Sequence, residues 1–85
     1  MVSFTYTIKD ELGIHARPAG MLAKEAMKWK STITVDNGTK NADAKRLMAI
    51  MSMGVKKDHV VTVSAEGEDE VACLESVQKF FEENL

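Results

Sequence analysis

The chain predicts an α+β fold in which one four-stranded sheet is covered on one face by helices. Three observations lead there. Val2–Ile8 and Val60–Ala65 alternate apolar and polar side chains with the period of a half-buried strand. Ala16 to about Lys28 and the run after Gly67 instead repeat apolar residues at helical spacing. Between these blocks, Asn37-Gly38 separates two short strand-like runs, and both residue types accept the positive φ of a tight hairpin. The order is strand, helix, strand, strand, short helix, strand, helix, which suits a layered α+β arrangement. On residue pattern alone, a ferredoxin-like arrangement is its rival.

In the first strand Val2, Phe4, Tyr6 and Ile8 face one way and Ser3, Thr5 and Thr7 the other. Lys9 to Gly13 make a polar turn interrupted by Leu12. From Ala16, the residues Ala19, Leu22, Ala23 and Ala26 form a stripe whose small side chains let the helix lie close on a sheet. Trp29 is expected to plug the end of the core. Thr32–Val35 is a second strand, and the polar return from Thr39 to about Asp43 is an edge strand, with Lys40 discouraging pairing to another chain.

A short helix is expected from Arg46 to Met53, closed by Gly54 in the left-handed conformation with Val55 folding back on Ile50. Leu47, Met48, Ile50, Met51 and Met53 are more apolar side chains than one face of two turns buries. Ile50 and one Met suit the core; the excess predicts an exposed, adaptable patch. After the Val60–Ala65 strand, Gly67 to Glu70 open the last helix, with carboxylates where the dipole favours them. Cys73, Leu74, Val77, Phe80 and Phe81 supply its core-facing stripe, so Cys73 reads as a small buried hydrophobe.

Composition narrows the function. The 85 residues make one small domain, 45% hydrophobic, with a single cysteine that cannot form an internal disulfide. No apolar run approaches the roughly 20 residues that span a bilayer, and nothing reads as a signal peptide, so membrane insertion is not expected and a reducing cytoplasm fits. A net charge of -2 excludes a strongly basic nucleic-acid binder on composition, though not a local basic patch. The charge is unevenly spread. Residues 1–65 hold ten of the 11 basic and six of the 13 acidic side chains (+4), and residues 66–85 hold one and seven (-6). The basic part suits a phosphate and an acidic partner surface.

The chemistry concentrates in Gly13-Ile14-His15-Ala16-Arg17-Pro18-Ala19-Gly20. Pro18 belongs in a first helical turn, which sets His15 at or beside the N-cap. A helix start offers free N–H donors and positive potential, and Arg17 adds a cation that forks onto phosphate oxygens. An imidazole beside such a site suits transfer of a phosphoryl group onto nitrogen, with the N–H groups of Ala16 and Arg17 meeting the charge. The plainer reading is a surface or capping histidine. Metal binding is not expected: His59 is far off in a polar loop, and no ligand pair has zinc spacing.

Three blocks resemble HPr, the histidine-containing phosphocarrier family of the bacterial phosphoenolpyruvate:sugar phosphotransferase system. They are Gly13-Ile14-His15-Ala16-Arg17-Pro18-Ala19, the run from Ala44 to Gly54, and Val60 to Glu70, in order and at matching separations. The resemblance spans the chain and implies a single domain over 1–85, an open-faced β-sandwich whose antiparallel sheet has the order 1-4-2-3 with three helices on one face. It implies that His15 accepts phosphoryl through Nδ1 from phosphorylated enzyme I, assisted by Arg17, and passes it to sugar-specific IIA domains. No metal, no cofactor and no turnover of the chain's own are implied, and a cytoplasmic monomer is expected. Leu47, Met48 and Met51 become a docking patch, with Lys24, Lys45 and Arg46 as its charged rim; Met21, on the side of Arg17 by the i, i+4 rule, is expected to join it as an exposed contact.

Two positions depart from the family. Leu12 stands where a small polar residue is usual, and either removes a hydrogen bond or extends the apolar rim. Arg46 occupies the position that is serine in the branch controlled by a serine kinase, so that switch is not expected here. The alternative function is a regulatory module, in a nitrogen-related phosphotransfer chain or as a coregulator, binding partners through the Met-rich patch. A small-ligand domain of similar topology that carries no phosphoryl group comes third.

Overall fold

The computed structural model describes all 85 residues. The elements are β1 (Val2–Thr7), α1 (Ala16–Met27), β2 (Thr32–Asp36), β3 (Asn41–Asp43), α2 (Leu47–Ser52), β4 (Val60–Glu66) and α3 (Glu70–Asn84). The sheet runs β1-β4-β2-β3 with every neighbouring pair antiparallel, the order the family resemblance implies rather than a ferredoxin-like one.

Register explains why one face is covered and the other is not. Phe4, Val63, Val35 and Ala42 lie side by side across the four strands. The neighbouring row is Ser3, Ser64, Thr34 and Asp43. Because successive side chains alternate faces, the first row meets the helices and the second meets water. Val61, Val63, Ala65, Ile33 and Val35 are fully buried beneath the helices.

All three helices contribute to one 21-residue core. α1 buries Ala19, Leu22, Ala23 and Ala26, and α3 buries Cys73, Leu74, Val77, Phe80 and Phe81, the stripes expected of each. Phe81 sits edge-on to Phe4 and Tyr6, with ring centroids 5.7 and 5.6 Å apart, a favoured aromatic geometry. Burial pushes the Cys73 thiol up to about 11, with Asp69 adding to the effect, so a reactive thiolate is disfavoured.

The hairpin departs from expectation. β2 and β3 are joined by residues 37–40 rather than by two, and β3 starts only at Asn41. Gly38 alone takes positive φ (95°). Asn37 instead holds the loop with its side chain, its Oδ1 accepting from the N–H groups of Thr39 and Lys40 at 3.0 and 2.7 Å. That is the Asx-turn habit of asparagine, which here outcompetes the tight turn. Past the Met53 C-cap of α2, Gly54 takes positive φ (64°) and Val55 and Ile50 are both in the core, but only the Gly54 N–H to Met51 carbonyl bond of a Schellman closure forms.

Candidate functional site

The start of α1 leaves its polar groups free. His15 is the N-cap residue, in extended conformation (φ -92°, ψ -177°), and its side chain makes no capping hydrogen bond. Its carbonyl accepts the first helical bond from the Ala19 N–H at 3.0 Å. The N–H groups of Ala16 and Arg17 meet no acceptor in the chain, and Pro18 has none to offer. No acidic residue lies in the first turn. The chain's ion pairs involve Glu70, Glu25 and Glu68, so the exposed Arg17 guanidinium is unpaired.

These groups border a shallow concavity of ≈ 250 Å³ lined by Asp10, His15, Arg17, Pro18, Met21 and Asn84. A half-buried imidazole lies here beside a free guanidinium and two unpartnered N–H groups at a helix start, donors of the kind that receive oxyanions. The arrangement offers nothing resembling a metal centre: no three His, Cys, Asp or Glu side chains converge anywhere. His59 belongs to the turn before β4, where its Nδ1 accepts from the Lys56 N–H at 3.2 Å.

The loop leading to His15 is fixed on several sides. Asp10 folds it into an Asx turn, its Oδ1 accepting from the Leu12 N–H and its carbonyl from the Gly13 N–H, both at 2.9 Å. The Leu85 carbonyl accepts from the N–H groups of Lys9 (2.6 Å) and Asp10 (2.9 Å). The Ile14 N–H donates to the Val55 carbonyl at 3.1 Å. Gly13, at φ +68°, lies so close that an added Cβ would stand 2.2 Å from that oxygen and 2.6 Å from Lys56 Cα. Only glycine permits both the conformation and the approach.

Residue pattern did not single out Asp10, Asn84 or the Gly13–Val55 contact. Asn84 reaches the concavity because α3 ends there, its Nδ2 donating to the Phe80 carbonyl at 3.0 Å. Nothing local in the sequence signals that placement. Gly13 was visible only as part of the motif, since its reason is a contact with a distant segment.

α1 and α2 pack against each other, which gathers most of the apolar patch. Met48 is 74% exposed, and Leu47, Met51 and Met21 are exposed at about half that level, whereas Ile50 and Met53 are buried. Lys24 and Arg46 are exposed and Lys45 is half-buried, its N–H donating to Asp43 Oδ1 at 2.9 Å. Arg46 is the N-cap of α2. Leu12 is 70% exposed; its backbone rather than its side chain holds the loop.

The opposite end of α1 is closed by polar contacts. Glu25 Oε2 accepts from Trp29 Nε1 at 3.0 Å and Ser76 Oγ at 3.1 Å, and Lys28 pairs with Oε1 at 3.5 Å. Burial opposes this carboxylate's charge, but the Trp29 and Ser76 hydrogen bonds, with Lys28, still hold its pKa below the ordinary glutamate value. Beyond it, the Asp69 carboxylate accepts from Ser31 Oγ and from the N–H groups of Lys30 and Ser31 at 2.9 and 3.0 Å, which lowers its pKa also.

Known proteins resemble this chain along nearly its whole length. A family model described as the PTS HPr component phosphorylation site matches residues 2–83. The phosphocarrier protein HPr of Mycoplasma capricolum is 37% identical over 79 residues, covering 93% of this chain and 89% of that protein. A multiphosphoryl transfer protein of Haemophilus influenzae is 42% identical over 78 residues; the match covers 88% of this chain but 16% of that longer protein. Among solved structures, HPr-C-His from Thermoanaerobacter tengcongensis superposes with a TM-score of 0.91 at 40% identity, covering 96% of this chain and 92% of its own.

Proposed function

The chain belongs to the HPr family of phosphocarriers of the phosphotransferase system, and on that premise we propose that His15 accepts a phosphoryl group from phosphorylated enzyme I and passes it to IIA domains of sugar permeases. One observation carries this reading. His15 caps α1 without using its imidazole, beside the free N–H groups of Ala16 and Arg17 and the unpaired Arg17 guanidinium.

The chemistry asked of the chain is modest. The unprotonated Nδ1 of His15 attacks phosphorus as the donor's bond to it breaks, and a nucleophile of the IIA domain then attacks the same phosphorus as the Nδ1–P bond breaks. Such transfer needs alignment and charge stabilisation more than covalent help. Arg17 and the helix start meet the oxygens, while Leu47, Met48, Met51 and Met21 dock the partner within a rim of Lys24, Lys45 and Arg46. Shared use of one patch by donor and acceptor favours flexible thioethers. One domain over residues 1–85, acting as a monomer in the cytoplasm without cofactor or metal, is enough for this role. No helix of the chain is long and apolar enough to cross a membrane. With arginine at position 46, control by a serine kinase at that position has no acceptor hydroxyl.

The test is direct. Incubation with enzyme I and labelled phosphoenolpyruvate is expected to give one acid-labile label per chain, absent in His15→Ala. A chain that takes no label keeps only a binding role, the regulatory module that the phosphorylation-site match does not favour.

A further inference from the structure

The concavity that receives the phosphoryl group in this reading also contains a carboxylate. Asp10 lines it together with His15 and Arg17, half-buried at the mouth of the loop. One oxygen, Oδ1, is engaged by the Leu12 N–H at 2.9 Å. Asp10 forms no ion pair with Arg17 or with any other cation of the chain. Its negative charge therefore stands uncompensated beside the place where a second negative group arrives.

A turn-forming role alone does not require that charge. Asparagine makes the same Asx turn, with its amide oxygen accepting the same N–H. The charge itself acts on the phosphorylated state. A phosphoryl group carries close to two negative charges near neutrality, and a carboxylate across a shallow, water-accessible cleft repels it. Arg17 and the start of α1 act in the opposite sense. We propose that Asp10 is a tuning residue: it raises the free energy of phosphorylated His15 and so keeps the group transferable rather than trapped. The proposal rests on His15 being the phosphoryl acceptor.

The equilibrium phosphoenzyme I + chain ⇌ enzyme I + phosphorylated chain reads this directly. It is to be measured with purified enzyme I at fixed phosphoenolpyruvate-to-pyruvate ratios, counting phosphohistidine on the chain. Asp10→Asn, which keeps the turn, is expected to shift the equilibrium toward the phosphorylated chain by about fivefold at low salt. The gap from the unsubstituted chain should shrink at 1 M salt, as screening requires. Asp10→Ala should shift it likewise and also melt at lower temperature, because it loses the turn. An Asp10→Asn equilibrium equal to that of the unsubstituted chain at low salt, or moved toward the unphosphorylated side, overturns the proposal. If the unsubstituted chain itself takes no label, the carrier reading fails and this inference falls with it. Label present on both chains at equal levels sinks only the role of Asp10.

Discussion

The two ends of α1 treat polar groups in opposite ways. At the C-terminal end the backbone and indole donors have acceptors: Lys28 and Trp29 N–H groups bond to the Glu25 and Ala26 carbonyls, and the Glu25 carboxylate gathers Trp29, Ser76 and Lys28. Asp69 then takes the N–H groups of Lys30 and Ser31. At the N-terminal end the N–H groups of Ala16 and Arg17, the His15 imidazole and the Arg17 guanidinium have no partner within the chain. Satisfied groups fix where the helix lies; unsatisfied ones at a solvent-open helix start are available to something else. The difference separates what holds the molecule together from what is left open to solvent.

That division can be broken most severely at Gly13. A side chain there meets the Val55 carbonyl at 2.2 Å and also demands positive φ, so Gly13→Ala is expected to cost about 3 kcal/mol or more and to disorder the His15 loop. Denaturant melts and phosphoryl uptake should fall together. Arg17→Lys probes the open end alone: the charge stays but the fork is lost. Uptake should slow by about tenfold while stability stays within about 0.5 kcal/mol of the unsubstituted chain. Asp69→Ala probes the opposite region and should lower Tm by about 5 °C or more, through three lost hydrogen bonds, with uptake by the folded fraction unchanged.

Acid sharpens the same contrast. Asp69, Glu70 and Glu25 all have pKa values below their ordinary 3.8, 4.5 and 4.5 in the folded chain. Hydrogen bonds from Ser31 and Lys30 lower Asp69, and the N-terminal ammonium at 3.0 Å from Glu70 lowers that group. Below their unfolded pKa values the unfolded chain binds these protons more readily, so stability rises with pH through the carboxylate range. Their contribution is complete above about pH 5 and is lost as pH falls through the lower folded values. Asp69→Asn should flatten that part of a pH–stability curve measured by urea titration. The mildest change is Glu25→Gln, which keeps an acceptor for Trp29 but loses the Lys28 pair. It should shift Trp29 fluorescence and alter stability by less than about 1 kcal/mol.

Local pattern carried most of the architecture. The alternation in Val2–Ile8 and Val60–Ala65, the alanine stripe of α1 and the Cys73-to-Phe81 stripe of α3 each report burial at the residue that shows it. The strand order needed the family resemblance, because a residue pattern does not say which strands are neighbours. His15, Arg17 and Pro18 were legible because their chemistry depends on adjacent positions along one helix start. Asp10, Asn84 and the Val55 contact were not, since folding brings them together from separate segments. The hairpin misled because Asn37 has two competing habits, positive φ and side-chain capping, and the side chain won.

The Gly13–Val55 contact has a bearing on how the protein is made. His15 and α1 leave the ribosome early, whereas the carbonyl that anchors their loop is supplied only after α2 has followed. A nascent chain therefore displays His15, the proposed phosphoryl acceptor, before it can hold it in position. The loop that presents this histidine is anchored only once synthesis has passed Val55.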